Sequence, residues 1–182
     1  MLRIAVTGKP GVGKSTVVTR VVEKLDLKAC GIRAAEMRVD GKRQGFSIED
    51  IDTGRKGILS HVKCTGPKLG KYHVNLEDLD GIGAEAIRHA LGCDLVVIDE
   101  VGPMELKSEN FVRAVEEILD SDRPILAVLH RSSKHLLAQR IREEFEVLTV
   151  DEVNRDDLPD RIAARFRQGR EEEKKDGNSY FG

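Results

Sequence analysis

The chain has 182 residues, with 30 Lys plus Arg against 32 Asp plus Glu and a formal net charge of −2. Apolar residues make up 40% and charged residues 34%, which fits one α/β domain with a core of its own and excludes a disordered chain or a fibrous repeat. The near-neutral charge gives no overall pull toward nucleic acid or anionic membrane, no apolar run approaches the roughly 18 residues of a bilayer span, and the odd, widely spaced Cys30, Cys64 and Cys93 argue against disulfides and for the cytosol.

Leu2–Thr7 is a short apolar run, too brief for a signal peptide, and reads as a buried strand. From Ser15 the pattern turns helical, with Val17, Val18, Val21, Val22 and Leu25 on one face. Ala29–Val39 and Gln44–Asp52 read as extended segments joined at Asp40-Gly41, a dipeptide that favours a tight hairpin. Gly57–Lys63 and Lys71–Leu76 are predicted as further short strands around a Gly66-Pro67 turn, and Leu79–Leu91 as a helix despite Gly81 and Gly83. Leu95–Ile98 is an apolar strand ending at Asp99. Asn110–Leu119 is an amphipathic helix, Pro124–Leu129 a strand, Lys134–Phe145 a helix and Val147–Val150 a last strand. Pro159 suits the first turn of a final helix carrying Leu158, Ile162 and Phe166. The alternation predicts a mainly parallel sheet with helices on both faces and an antiparallel hairpin at one side. One domain is expected over residues 1–168, followed by a charged, flexible tail over 169–182. The sequence leaves the oligomeric state open, with a monomer as the default.

Gly8-Lys9-Pro10-Gly11-Val12-Gly13-Lys14-Ser15 matches G-x-x-x-x-G-K-[ST]. It follows a strand and opens a helix, the context that gives the pattern its meaning. Glycines let successive N–H groups converge on one anion, and the helix adds its unpaired first amides and positive dipole end. The loop is therefore expected to cradle a nucleoside triphosphate. Lys14 would reach the β- and γ-phosphates, Ser15 would ligate Mg²⁺, and Thr16 would add a hydroxyl near the α-phosphate.

Leu95-Val96-Val97-Ile98 runs directly into Asp99-Glu100. Ligands of open α/β sheets bind beyond the carboxyl ends of strands. Asp99 there would hold Mg²⁺ opposite Ser15, and Glu100 would orient and deprotonate the attacking water. Two adjacent acids separate these roles, because a carboxylate against a metal is a poor base. Val101 and Gly102 complete the expected nucleotide-binding set. A second cation for the phosphates could come from Arg131, which follows a strand, or from the basic stretch of Lys63, Lys68 and Lys71 acting as a lid. Asn154 and Arg155 would touch base or ribose, or cap the final helix. His130 and His135 lack the spacing and neighbours of a zinc site. With no Trp and few aromatics, single-stranded nucleic acid is not an expected ligand.

The phosphate loop, Ile98-Asp99-Glu100-Val101-Gly102-Pro103-Met104-Glu105-Leu106, the stretch Gly66–Leu76, and Asn154-Arg155-Asp156-Asp157-Leu158-Pro159 together resemble one family. It is the nucleoside-triphosphatase family first described from hyperthermophiles, with animal relatives called cancer-related nucleoside triphosphatases. The resemblance runs from about Leu2 to Phe166. It implies a RecA-like P-loop sheet and slow, Mg²⁺-dependent hydrolysis of ATP, GTP, CTP and UTP with little base preference. It also implies Lys14, Ser15, Asp99 and Glu100 in the roles above. Pro103 stands where many members carry Lys, so no phosphate-binding charge is expected there. A guanine-preferring GTPase, a small-molecule or nucleotide kinase, and a nucleotide-gated binding module share parts of the pattern.

Overall fold

The structure, a computed structural model, describes residues 1–178. Among the described residues nine strands form one sheet. In chain order they are β1 (Arg3–Thr7), β2 (Ala29–Val39), β3 (Lys42–Asp50), β4 (Lys56–His61), β5 (Lys68–Leu69), β6 (Tyr72–Val74), β7 (Leu95–Val101), β8 (Ile125–Leu129) and β9 (Glu146–Thr149). Across the sheet the order is β5-β6-β4-β3-β2-β7-β8-β1-β9. The half from β2 through β9 is parallel, and β3 to β6 extend it with antiparallel pairs. The expected side hairpin is thus part of a larger antiparallel extension. Its first turn is the anticipated one, with Asp40 at φ 49° and Gly41 at φ 73°, the left-handed pair a two-residue hairpin needs.

Strand alternation sorts the apolar side chains onto two faces. Ile4, Val6, Val97, Leu126 and Val128 pack against α1 (Lys14–Glu23) and α6 (Leu158–Asn178) through Val17, Val21, Ile162 and Phe166. Ala5, Val96, Ile98 and Ala127 face the opposite layer, which includes α4 (Glu109–Leu119) and α5 (Leu136–Glu144). That layer also holds a composite helix: α2 (Leu76–Asp78), a π-helical turn Leu79–Ala84, α3 (Glu85–His89) and a 3₁₀ turn Ala90–Gly92. The π turn coincides with Gly81 and Gly83. A Cβ at Gly83 would press on Ile48 and Leu79 at 2.8 and 3.1 Å, so close packing, not backbone freedom, accounts for that glycine.

One expectation is corrected. Cys30 and Cys93 are joined in a disulfide with 6.0 Å between their Cα atoms, and Cys64 is free. Both bonded residues are buried, at the amino ends of β2 and β7, far along the chain but adjacent in the sheet. The boundary at 168 falls inside α6, which carries the charged segment on as helix to Asn178; residues 179–182 of the expected tail lie outside the described residues. Among the described residues no helix is long and apolar enough to cross a membrane.

Candidate active site

The carboxyl ends of β1, β7 and β8 meet at one edge of the sheet, and the loop between β1 and α1 closes over it. Gly8, Gly11 and Gly13 have φ of 154°, 76° and 108°, conformations that side chains rarely adopt. A Cβ at Gly8 would stand 2.6 Å from the Val150 carbonyl oxygen, so β9 backs the loop where Val150 N–H bonds Thr7 O at 2.7 Å. Gly13 caps α1 with no side-chain acceptor on its first amides. The Lys14 ammonium donates to the carbonyls of Gly8 and Lys9, both at 3.3 Å.

Loop and strand end are joined by one contact. The Ser15 hydroxyl donates to Asp99 Oδ1 at 2.9 Å. Asp99 is 2% exposed, and its Oδ2 has no hydrogen-bond partner among the described residues. Burial pushes the Asp99 carboxyl up to about 7, with the Glu100 charge adding to the rise and the Ser15 hydroxyl, Arg33 and Lys14 opposing it. Glu100 is also raised by burial, against the pull of Lys14 and His130. An orphaned buried carboxylate oxygen beside a hydroxyl is a donor set suited to a hard divalent cation.

Two groups at this edge were not anticipated. Glu105 is buried, its Oε2 accepts the Gly102 N–H at 3.1 Å, and burial pushes its carboxyl up to about 8, with repulsion from Glu100 and Asp99 adding to the rise. A Cβ at Gly102 would lie 3.1 Å from both Glu100 Oε1 and Glu105 Oε2; the glycine leaves room for two facing acids. His130 comes to the end of β8 beside Glu100, its N–H bonded to Val101 O at 3.1 Å. Glu105 stands in the quoted acidic string, where it carried no assigned role. His130 directly follows an all-apolar strand, but only the sheet order, with β8 between β1 and β7, shows that it reaches the site.

Some expected residues are elsewhere. Val101 is fully buried in the core, and its carbonyl and the Gly102 N–H are both taken within the protein. Arg131 is exposed and contributes a carbonyl acceptor to Arg142. Lys71 donates to Arg43 O at 3.0 Å and lies over the Tyr72 ring. Its hairpin is four strand spacings from β7, roughly 19 Å, so the proposed lid is not brought to the loop. Asn154 builds the turn after β9, donating to Thr149 O at 2.8 Å and accepting from Asp151 N–H at 3.0 Å. Arg155 does approach: a Cβ at Gly13 would meet its Cδ at 3.9 Å.

This arrangement has clear relatives. The NTPase family model matches residues 3–163. The chain belongs to this NTPase family. It is 67% identical over 170 residues to the nucleoside-triphosphatase THEP1 of Methanosarcina acetivorans, covering 91% of this chain and 97% of that protein. It also resembles the crystal structure of THEP1 from the hyperthermophile Aquifex aeolicus, with a TM-score of 0.81 and 32% identity over 91% of this chain and 99% of that one. The solution structure of a human cancer-related nucleoside triphosphatase gives a TM-score of 0.77 and 29% identity over 92% and 98%. Membership of the family and the P-loop α/β architecture expected from the sequence are thereby established.

Proposed function

We propose that the protein hydrolyses nucleoside 5′-triphosphates to the diphosphate and inorganic phosphate, with Mg²⁺ and broad tolerance of the base. The observation that carries this reading is the 2.9 Å bond from Ser15 to Asp99 with Asp99 Oδ2 left unpartnered. It joins the end of a phosphate loop to a carboxylate in the way a metal–triphosphate complex requires. The names of the relatives agree with it.

In this reading the amides of Gly11–Ser15 and the Lys14 ammonium hold the β- and γ-phosphate oxygens and stabilise the charge that builds on them. Thr16 adds a hydroxyl at the α-phosphate, and Lys9, Pro10 and Val12 shape the loop. Ser15 and Asp99 would hold Mg²⁺, which screens the β- and γ-oxygens and draws charge from the leaving diphosphate when bound. Glu100 accepts a proton from water as the water oxygen bonds to the γ-phosphorus. The bond from that phosphorus to the bridging oxygen breaks, and its electron pair leaves with the diphosphate. A carboxyl raised by burial is a better base than an ordinary one, since its conjugate acid lies nearer neutral pH. Arg155, near Gly13, would contact ribose or base, while Asn154 holds the turn that carries it. The enzyme is taken to act in the cytoplasm as a one-domain monomer.

Phosphate release from ATP, GTP, CTP, UTP and the diphosphates, with Mg²⁺ and with EDTA, tests the reading. Comparable turnover of the four triphosphates, none of the diphosphates and none in EDTA is expected. Turnover of a single nucleotide, or metal-independent release, would overturn it.

A further inference from the structure

Phosphoryl transfer commonly uses a second cation beside the loop lysine; Lys71 is four strand spacings from β7 and Arg131 is exposed beyond β8, and neither is paired in the sheet with Asp99. Arg33 is. It lies on β2, paired in parallel register with Asp99 on β7. Paired residues on neighbouring strands project from the same sheet face, with about 4.8 Å between the strands. Val97, two residues before Asp99, packs into the α1 side of the sheet, so Asp99 and Arg33 both leave on that side.

There Arg33 lines a cleft of about 350 Å³ with Ser15, Thr16, Thr19, Glu23 and Ala34. It is half-buried, and among the described residues its guanidinium acts on Asp99 through charge without a direct hydrogen bond or ion pair. Its neighbours are not in that position: Arg38 and Arg43 both pair with Glu36 at 2.7 Å, and Arg20, on the same cleft wall, pairs with Asp156 at 3.3 Å. The Arg33 charge pulls on the Asp99 carboxylate, but a guanidinium partly withdrawn from water with no hydrogen-bond partner leaves its donors unused. Its five donors in a planar fork suit an anion with several oxygens. Because Arg33 stands level with Asp99, the phosphate that comes nearest is the one beside the Ser15 hydroxyl, at the end of the triphosphate remote from the base.

We propose that Arg33 is the second cation of the site, donating to non-bridging oxygens of the γ-phosphoryl group from the β2 side while Lys14 takes them from the loop side. The inference rests on the triphosphatase reading and adds a catalytic residue to it. As the γ-phosphorus passes from the bridging oxygen to the water oxygen, charge on its equatorial oxygens is met from two directions. The α- and β-phosphates keep their loop amides, so Arg33 distinguishes triphosphate from diphosphate.

The test compares wild type, Arg33→Ala and Arg33→Lys in three measurements: steady-state hydrolysis, affinity for ADP against a non-hydrolysable ATP analogue, and capture of Mg–ADP with aluminium fluoride. Thermal unfolding checks the fold of each variant. For Arg33→Ala, kcat falls roughly 30- to 100-fold, ADP affinity stays within about twofold, and the preference for triphosphate and the aluminium fluoride capture are lost. Arg33→Lys recovers part of kcat, since it restores the charge without the fork. Wild-type kcat with intact capture in Arg33→Ala overturns the proposal. So does an equal loss of ADP and triphosphate affinity, or an activity loss that disappears at high pH, which would mean that Arg33 serves only to keep Asp99 ionised. If the wild type releases no phosphate from any triphosphate, the hydrolase reading fails. The triphosphate-over-diphosphate preference of Arg33→Ala then decides the role of Arg33 separately: preference lost supports it, preference kept overturns it.

Discussion

Replacing Glu105 by Gln isolates the cost of a buried acid at this strand end. The carboxyl is pushed from its ordinary 4.5 to about 8, so between those values the folded protein holds a proton that the unfolded chain releases. Stability from this group is therefore complete below about pH 4.5 and is lost as pH rises through about 8. At ~1.4 kcal/mol for each tenfold in acidity, the whole interval corresponds to about 5 kcal/mol, an upper bound because water reaching the charged form reduces it. Gln keeps an acceptor for the Gly102 N–H and is neutral throughout. Its amide group can shift stability by about 1 kcal/mol, but that shift is the same at every pH. Urea midpoints measured from pH 4.5 to 9 in EDTA should fall with pH in both proteins, because Asp99 is raised as well. The fall should be smaller in Glu105→Gln, with the gap opening by roughly 2 to 5 kcal/mol across the range. Parallel curves would refute the reasoning, since they would mean that Glu105 ionises alike in the folded and unfolded chains.

Glu100→Gln should keep Mg–nucleotide affinity within a few fold while kcat drops about 100-fold or more; calorimetry paired with phosphate release tests this, and unchanged turnover removes Glu100 as the base. Gly31→Ala should destabilise by more than about 3 kcal/mol, because Gly31 has φ of 122° and a Cβ would lie 2.0 Å from Val97 O; a thermal midpoint near wild type would contradict that packing. Reducing the Cys30–Cys93 bridge, which closes a sequence separation of 63, should cost up to about 4 kcal/mol of chain-entropy stabilisation. The bridge sits at the opposite ends of the strands from Asp99, so turnover should persist below the unfolding transition. Urea midpoints and rates with and without dithiothreitol report both, and an unchanged midpoint would show that the bridge contributes nothing.

What the sequence revealed was governed by local rules. β2 has the bounds that its composition suggests, and the Asp40-Gly41 turn follows from two residues that tolerate positive φ. The phosphate loop is legible because its glycines, lysine and helix are contiguous. Ser15 and Asp99 are 84 residues apart, yet each ends a recognisable motif, so their meeting was foreseeable. Arg33 and His130 were not assigned because their places depend on which strands are neighbours; the contacts of Glu105 are local, but the burial of its carboxyl does not show in an acidic string. Arg33 matters through the β2–β7 register, His130 through the insertion of β8 between β1 and β7. The sequence offers Arg131 as a candidate cation and His130 only as a candidate zinc ligand, because periodicity does not resolve which residue at a strand end faces the site. The disulfide was missed for the same reason: spacing along the chain says nothing of two cysteines brought together by parallel strands.

The same sheet order explains why the acids are concentrated where they are. β7 is central and flanked on both sides, so a polar residue at its carboxyl end has little water and few backbone partners. Asp99, Glu100 and Glu105 share that end, and burial raises all three. Without a counter-charge the fold must hold protons there or carry repulsion. Lys14 and Arg33 offset part of it at Asp99, and both are the groups proposed above for phosphate. A metal–triphosphate complex meets both requirements at once, bringing cation charge to Asp99 and anion charge to the two basic groups. The strand end is therefore least stable by itself and most stable when loaded. Nucleotide with Mg²⁺ should then release protons on binding near neutral pH, a release that Asp99→Asn should diminish. Binding heats measured in buffers of different ionisation enthalpy would expose a site that binds without proton release, and with it the failure of this account.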